Sequence, residues 1–219
     1  MGDGKGSRRA STTSAPPYWR RACDELGSRD GVLRRLIAAH QGDVLRGSGD
    51  AFRTLANAIV GQQISVAAAA GIWRRLLCAY PNLSPAALAD ANHDELRAAG
   101  LSARKAEYLQ SIAAAFLDGR TGESVWSSLD DEELRRHLTT FRGIGPWTAD
   151  MVLIFHARRP DVLPLGDLGL VNAAARLYGW DGDPSRADRL REHAERWRPW
   201  RTVATWFIWR DLDAEPVIY

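Results

Sequence analysis

Residues 141 to 150 read FRGIGPWTAD, with two glycines, Gly143 and Gly145, on either side of Ile144. A Gly-x-Gly turn running into a helix start leaves backbone N–H groups without partners, and such groups attract anions. A phosphoryl-transfer loop would follow its glycines with a lysine, whereas here Pro146 and Trp147 follow. The turn is therefore either a backbone anion grip or simply a tight connection between two helices. Further along, LPLGDLGL at 163 to 170 sets Asp167 just before the run LGLVNAAARLYG, where an aspartate makes a good helix N-cap. Five of the nine tryptophans fall late, at Trp180, Trp197, Trp200, Trp206 and Trp209. The five histidines (His40, His93, His137, His156 and His193) are scattered, without metal-binding spacing such as H-E-x-x-H. Cys23 and Cys78 are the only cysteines, too few for a four-cysteine zinc or iron–sulfur site.

The elements that hold these residues follow a helical period. Phe52, Leu55, Ala56, Ile59 and Val60 recur at i, i+3, i+4, i+7 and i+8. Val66, Ala70, Trp73, Leu77 and Tyr80 repeat the pattern, as do Leu109, Ile112, Ala113 and Phe116. Leu33, Leu36 and Ile37 mark an earlier helix. Turn chemistry separates the runs at GSGD (47 to 50), PNLSP (81 to 85), RTGES (120 to 124) and RPDVLPLGD (159 to 167). No β-branched run alternates over strand length. The fold class is all-α, with about ten short helices. SSLDDEELRRHLTT before the glycines carries acids early and arginines late, which suits a helix dipole, so its DDEE at 130 to 133 reads as a helix start and not as a metal site. PWTADMVLIFHA after them starts with a proline, as helices tolerate. The glycine stretch is thus a helix, a Gly-Ile-Gly hairpin and a helix.

At 219 residues, 45% apolar and 26% charged, the chain has the makeup of a water-soluble domain with a full core. No run approaches the roughly 18 apolar residues of a membrane span. Residues 1–17, MGDGKGSRRASTTSAPP, lack the apolar core of a secretion signal and read as a disordered, mildly basic leader, with the folded domain at 18–219. The cysteine usage fits a reducing cytoplasm. A net charge of +2 does not by itself announce nucleic acid.

Four segments, in order, carry a resemblance: AIVGQQISVAAAA (58 to 70), FRGIGPWTADMVLIF (141 to 155), LPLGDLGL and ERWRPWRTVATWFIW (195 to 209). Together they resemble the helix-hairpin-helix DNA glycosylase superfamily, and within it the DNA-3-methyladenine glycosylase II type, over about residues 30 to 212. The resemblance implies a two-lobed helical fold with the active site between the lobes. It implies that Asp167 is the catalytic carboxylate, since breaking an N-glycosidic bond builds positive charge on the sugar that a nearby anion stabilises. Trp147 stands where bifunctional members have a Schiff-base lysine; Lys5 and Lys105, the only lysines, lie far away in sequence. The chemistry implied is hydrolytic, without a lyase step.

By the same likeness Trp147, Met151 and Trp209 line the base pocket, with Met151 where some members have an aromatic. Trp197 and Trp200 match a structural position. Gln63, then Ile64, is the side chain that fills the gap left by a flipped nucleotide, and Gln62 contacts the opposing strand. Gly143, Ile144 and Gly145 contact a DNA phosphate through their backbone. Arg142 replaces one residue of the family's usual Leu-Pro, and is either a phosphate contact or a solvated side chain. The family's hairpin often holds a monovalent cation on backbone carbonyls; otherwise no cofactor and no metal are expected. An extra N-terminal β-rich domain, carried by some members, is not expected.

The function implied is removal of alkylated purines, chiefly 3-methyladenine and 7-methylguanine, from double-stranded DNA in base excision repair. The alternatives are a glycosylase for an oxidised or deaminated purine, or a non-catalytic DNA-binding module. A monomer near the nucleoid is expected, with no membrane and no obligate protein partner.

Overall fold

The computed structural model describes residues 14–212, and among these every regular element is helical. In order they are α1 (Trp19–Arg29), α2 (Gly31–Ala39), α3 (Ala51–Gly61), α4 (Val66–Ala79), α5 (Pro85–Ala89), α6 (His93–Ala98) and α7 (Ala103–Leu117). Then come α8 (Glu123–Trp126), α9 (Asp131–Thr139), α10 (Pro146–Met151), α11 (Leu168–Tyr178), α12 (Arg186–His193) and α13 (Arg201–Leu212). A π-helical turn, Val152–His156, continues α10, and a 3₁₀ turn, Ala194–Trp197, continues α12. Most starts are set by a side chain that accepts from the first turn of the helix: Asp30, Asp50, Ser65, Ser84, Asn92, Ser102, Asp130 and Asp167. Asp130 and Glu133 form a reciprocal capping box, so the acidic run at 130 to 133 starts a helix, as expected.

The helices sort into two lobes. In one, α3 packs on α4, α7 and α10, while α5 and α6 lie on α7 and α9 on α10. In the other, α1 and α2 from the start of the chain join α11, α12 and α13 from its end. Asp30 ties that closure together. It is the N-cap of α2, and its Oδ2 also accepts from Tyr178 Oη (2.9 Å), Trp197 Nε1 (3.0 Å) and His193 Nε2 (3.1 Å). Burial would raise its pKa, but the bonds from His193, Trp197, the Leu33 amide and Tyr178 outweigh that and hold it far below the usual carboxylate range. Trp197 and Trp200 are buried in this lobe, as expected of structural residues.

Two expectations change. The leader was read to residue 17, yet Pro16 is buried and the Ser14 carbonyl accepts from Arg158 Nη2 at 2.6 Å, so residues 14–17 pack on the fold. Residues 1–13 lie outside the described residues. The apolar period of α4 is covered only in part: Leu76 is buried and Trp73, Leu77 and Tyr80 pack half-buried on the core, while Val66 and Ala70 are exposed. The reason is position. The first turn of α4 projects beyond the body of the lobe, carrying Ile64 and Val66 into solvent.

The π-helical turn aims one aromatic at another. Phe155 stacks on Trp209 of α13, with ring centroids 6.0 Å apart and planes 10° from parallel. Gly47 lies flat against that turn; a Cβ there would fall 2.0 Å from the Phe155 carbonyl oxygen.

Candidate active site

The Gly-Ile-Gly stretch joins α9 to α10 as a hairpin closed by the Ile144 N–H donating to the Phe141 carbonyl at 3.1 Å. Gly143 adopts φ +84°, in the left-handed region that favours glycine. A Cβ there would also strike the Tyr108 ring of α7 at 2.3 Å. Gly145 is the N-cap of α10 and brings no side chain, so no side-chain cap covers the first turn of that helix. Ile144 buries its side chain, which leaves its backbone as the part that could meet DNA. Arg142 is exposed, pairs with Glu107 at 3.2 Å and lies over the Tyr108 ring at 5.7 Å.

From this hairpin Trp147 reaches across to the other lobe. Its indole Nε1 donates to Asp167 Oδ2 at 2.8 Å. The other carboxylate oxygen, Oδ1, accepts from the Leu170 N–H at 2.7 Å, so Asp167 caps α11 and meets the hairpin with the same group. Gly169 makes room for the carboxylate, and Gly166 lies at ordinary contact distance from Trp147. A Cβ on Gly169 would lie 3.0 Å from Asp167 Oδ1, and one on Gly166 would lie 3.8 Å from Trp147 Cβ. Leu168, next to Asp167 in the chain, is 71% exposed, a large apolar side chain that the sequence reading passed over.

Of the other pocket candidates, Trp209 is half-buried and braced by Phe155. Met151 is a correction. It is 1% exposed and belongs to the core under α10, with no open face against which a base could lie. Its place on the helix explains this: Thr148, Ala149, Asp150 and Met151 are all buried, while Pro146 is exposed and Trp147 half-buried. Asp150 is held by Arg135 of α9 at 2.9 Å.

The turn between α3 and α4 divides its residues. Gln63 and Ile64 are exposed, and Gln63 holds φ +57°, uncommon for a residue with a side chain. Gln62, expected to reach an opposing strand, points inward instead. Its Nε2 donates to the Gly143 carbonyl (2.8 Å) and to Thr148 Oγ1 (2.9 Å), because the hairpin leaves those acceptors facing α3. Lys105, far away in sequence, comes to this turn: its Nζ donates to the carbonyls of Val60 and Gln62, each at 2.8 Å. Nothing in SARKAEYL beyond the Ser102 cap signalled that role.

No group of His, Cys, Asp and Glu among the described residues has the geometry to hold a metal ion. Nor is any helix there long and apolar enough to cross a membrane.

Comparison with known proteins matches the family model "HhH-GPD superfamily base excision DNA repair protein" over residues 56–199. DNA-3-methyladenine glycosylase 1 of Schizosaccharomyces pombe is 36% identical over 164 residues, covering 73% of this chain and 71% of that protein. DNA-3-methyladenine glycosylase 2 of Escherichia coli is 35% identical over 198 residues, covering 85% of this chain and 67% of that protein. Among solved structures, S. pombe 3-methyladenine DNA glycosylase in complex with abasic DNA aligns with a TM-score of 0.79 at 31% identity. That alignment covers 87% of this chain and 95% of the other.

Proposed function

The chain belongs to the HhH-GPD superfamily of base excision DNA repair proteins, and from that premise we propose that it is a DNA N-glycosylase that hydrolyses alkylated purines out of double-stranded DNA. The substrates are 3-methyladenine, the base in the names of its relatives, and 7-methylguanine, which carries the same positive charge on the purine. The observation that carries the reading is the bond from Trp147 Nε1 to Asp167 Oδ2, which fixes a carboxylate against an indole at the mouth between the lobes.

A purine methylated at N3 or N7 already bears positive charge, so it leaves as a neutral base and needs no strong acid. As the C1′–N bond lengthens, positive charge moves onto the sugar, and the Asp167 carboxylate stabilises it electrostatically. Water adds at C1′, and the proton it releases passes to Asp167 or to solvent. Trp147 and Trp209 offer indole faces to the cationic base, each worth about 0.5 to 2 kcal/mol. Gln63, exposed on its turn, fills the stack behind the flipped nucleotide, and the hairpin amides of Gly143 and Gly145 take a backbone phosphate, while that of Ile144 closes the turn on Phe141. With Trp147 in the lysine position, no amine attacks C1′, and the product is an intact strand with an abasic site.

A monovalent cation at the hairpin, implied by the resemblance, would have to share its carbonyls: Gly143's accepts from Gln62 and Phe141's from Ile144. It takes no part in the step above. The Met151 side chain is likewise left out of the pocket, since it is buried in the core.

The test is release of free base from methylated duplex by the wild type and by Asp167→Asn. Asparagine caps a helix as well as aspartate does, so α11 keeps its start while the charge is lost. The expected result is release by the wild type and none by the variant, with both binding duplex. If neither protein releases base while both bind, a non-catalytic DNA-binding module is the right reading. Borohydride trapping of a covalent adduct would overturn the hydrolytic mechanism.

A further inference from the structure

The turn that carries Gln63 is held from two sides. Helix α3 stops at Gly61, and helices leave their last carbonyls without partners inside the helix. Two carbonyls at this end, those of Val60 and Gln62, converge on the Lys105 ammonium of α7. The Gln62 carbonyl belongs to the peptide plane that joins Gln62 to Gln63. Fixing that plane restrains the rotation φ of Gln63, which sits at +57°. A left-handed residue with a side chain is strained and persists only where its surroundings hold it. The second hold is the Gln62 side chain, which runs to the hairpin at Gly143 and Thr148. Helix α7 meets the hairpin again through Tyr108, packed under Gly143, and through Glu107, paired with Arg142. One helix thus braces both the turn and the hairpin.

We propose that Lys105 is a positioning residue for base flipping: it locks the Gln62–Gln63 peptide so that the Gln63 side chain stands ready to enter the base stack, in fixed register with the hairpin. This rests on the reading that Gln63 fills the gap left by the extruded nucleotide. Burial pulls the Lys105 pKa below the usual lysine range, because it disfavours the charged form.

The test compares the wild type with Lys105→Met, Lys105→Arg, Gln63→Ala and the double variant Lys105→Met/Gln63→Ala. One readout is the fluorescence of 2-aminopurine placed opposite a tetrahydrofuran abasic analogue in duplex DNA, which reports a side chain inserted into the stack without requiring catalysis. The other is release of 7-methylguanine from methylated duplex and from methylated single strands, where no gap needs filling. Lys105→Met is expected to lose most of the fluorescence change and to slow duplex release about ten-fold, as loss of charge-assisted bonds implies, while leaving single-strand release unchanged. Lys105→Arg, which can donate to both carbonyls, restores most of the duplex rate. The double variant should be no slower than the slower single one, since both act through one side chain.

Equal loss on duplex and single strands overturns the proposal, because that is what a merely structural lysine would give. A Lys105→Met protein that matches the wild type overturns it, as do additive effects or a wild type without fluorescence change. If Lys105→Met does not fold, Lys105→Gln takes its place with the same outcomes. Should the wild type release no base at all, it is the glycosylase reading that fails. The fluorescence then still decides the role of Lys105.

Discussion

Replacing Trp147 by phenylalanine removes one N–H and keeps an aromatic ring, so it isolates the bond to Asp167 Oδ2. A hydrogen bond to a charged group is worth about 1.5 to 3 kcal/mol. At about 1.4 kcal/mol per factor of ten, full loss in the transition state would slow base release about 10- to 150-fold. The structure argues for the lower end. Asp167 Oδ1 keeps its bond from the Leu170 amide at 2.7 Å, so the carboxylate stays anchored to α11 and only its rotation is freed. The expected value is therefore about a ten-fold slower rate. The assay is single-turnover release of 7-methylguanine from duplex, beside binding to an abasic duplex, which should change little. A Trp147→Phe enzyme at wild-type speed would refute the claim that the indole orients the carboxylate. A folded variant as inactive as Asp167→Asn would refute it from the other side, by showing that the indole does more than orient.

Two other perturbations test the supports. Gly143→Ala forces a side chain into a left-handed turn and against the Tyr108 ring at 2.3 Å, with Arg142 over that same ring; affinity for undamaged duplex should fall about ten-fold, measured by fluorescence anisotropy at fixed salt. Asp30→Asn leaves the cluster of Tyr178, His193 and Trp197 donors without its charged acceptor, which should cost about 3 to 5 kcal/mol in a urea melt at pH 7. Because the pKa of Asp30 is lower folded than unfolded, the stability it supplies is complete above about pH 4 and is lost as pH falls toward the folded value. The gap between wild type and Asp30→Asn should therefore narrow in acid, and a gap that stays constant to pH 3 would contradict the origin given for it.

Local patterns in the chain foretold the helices because the signals were local too. Apolar period marked α3 and α7, and both bury that face. Asp167 was legible as an N-cap from its neighbours, and as a candidate catalyst only through the family likeness. What stayed hidden depends on contacts between distant elements. Lys105 meets Val60 and Gln62 across more than forty residues, and Asp30 meets Tyr178, His193 and Trp197 across roughly 150. Met151 was misplaced because helical spacing gives its face relative to Trp147, one turn earlier, but not which neighbour covers that face. The apolar side of α4 is covered only in part for a related reason. Periodicity marks an apolar side, but the body of the lobe lies too far back to cover its first turn.

The contact between Trp147 and Asp167 joins the two lobes, since α10 belongs to one and α11 to the other. A chain leaving the ribosome makes the hairpin before it makes Asp167, and α2 waits longer still for the residues of α12 and the 3₁₀ turn that close around Asp30. A chain that ends before residue 167 would carry the hairpin and lack the carboxylate, so under the proposed function it could release no base.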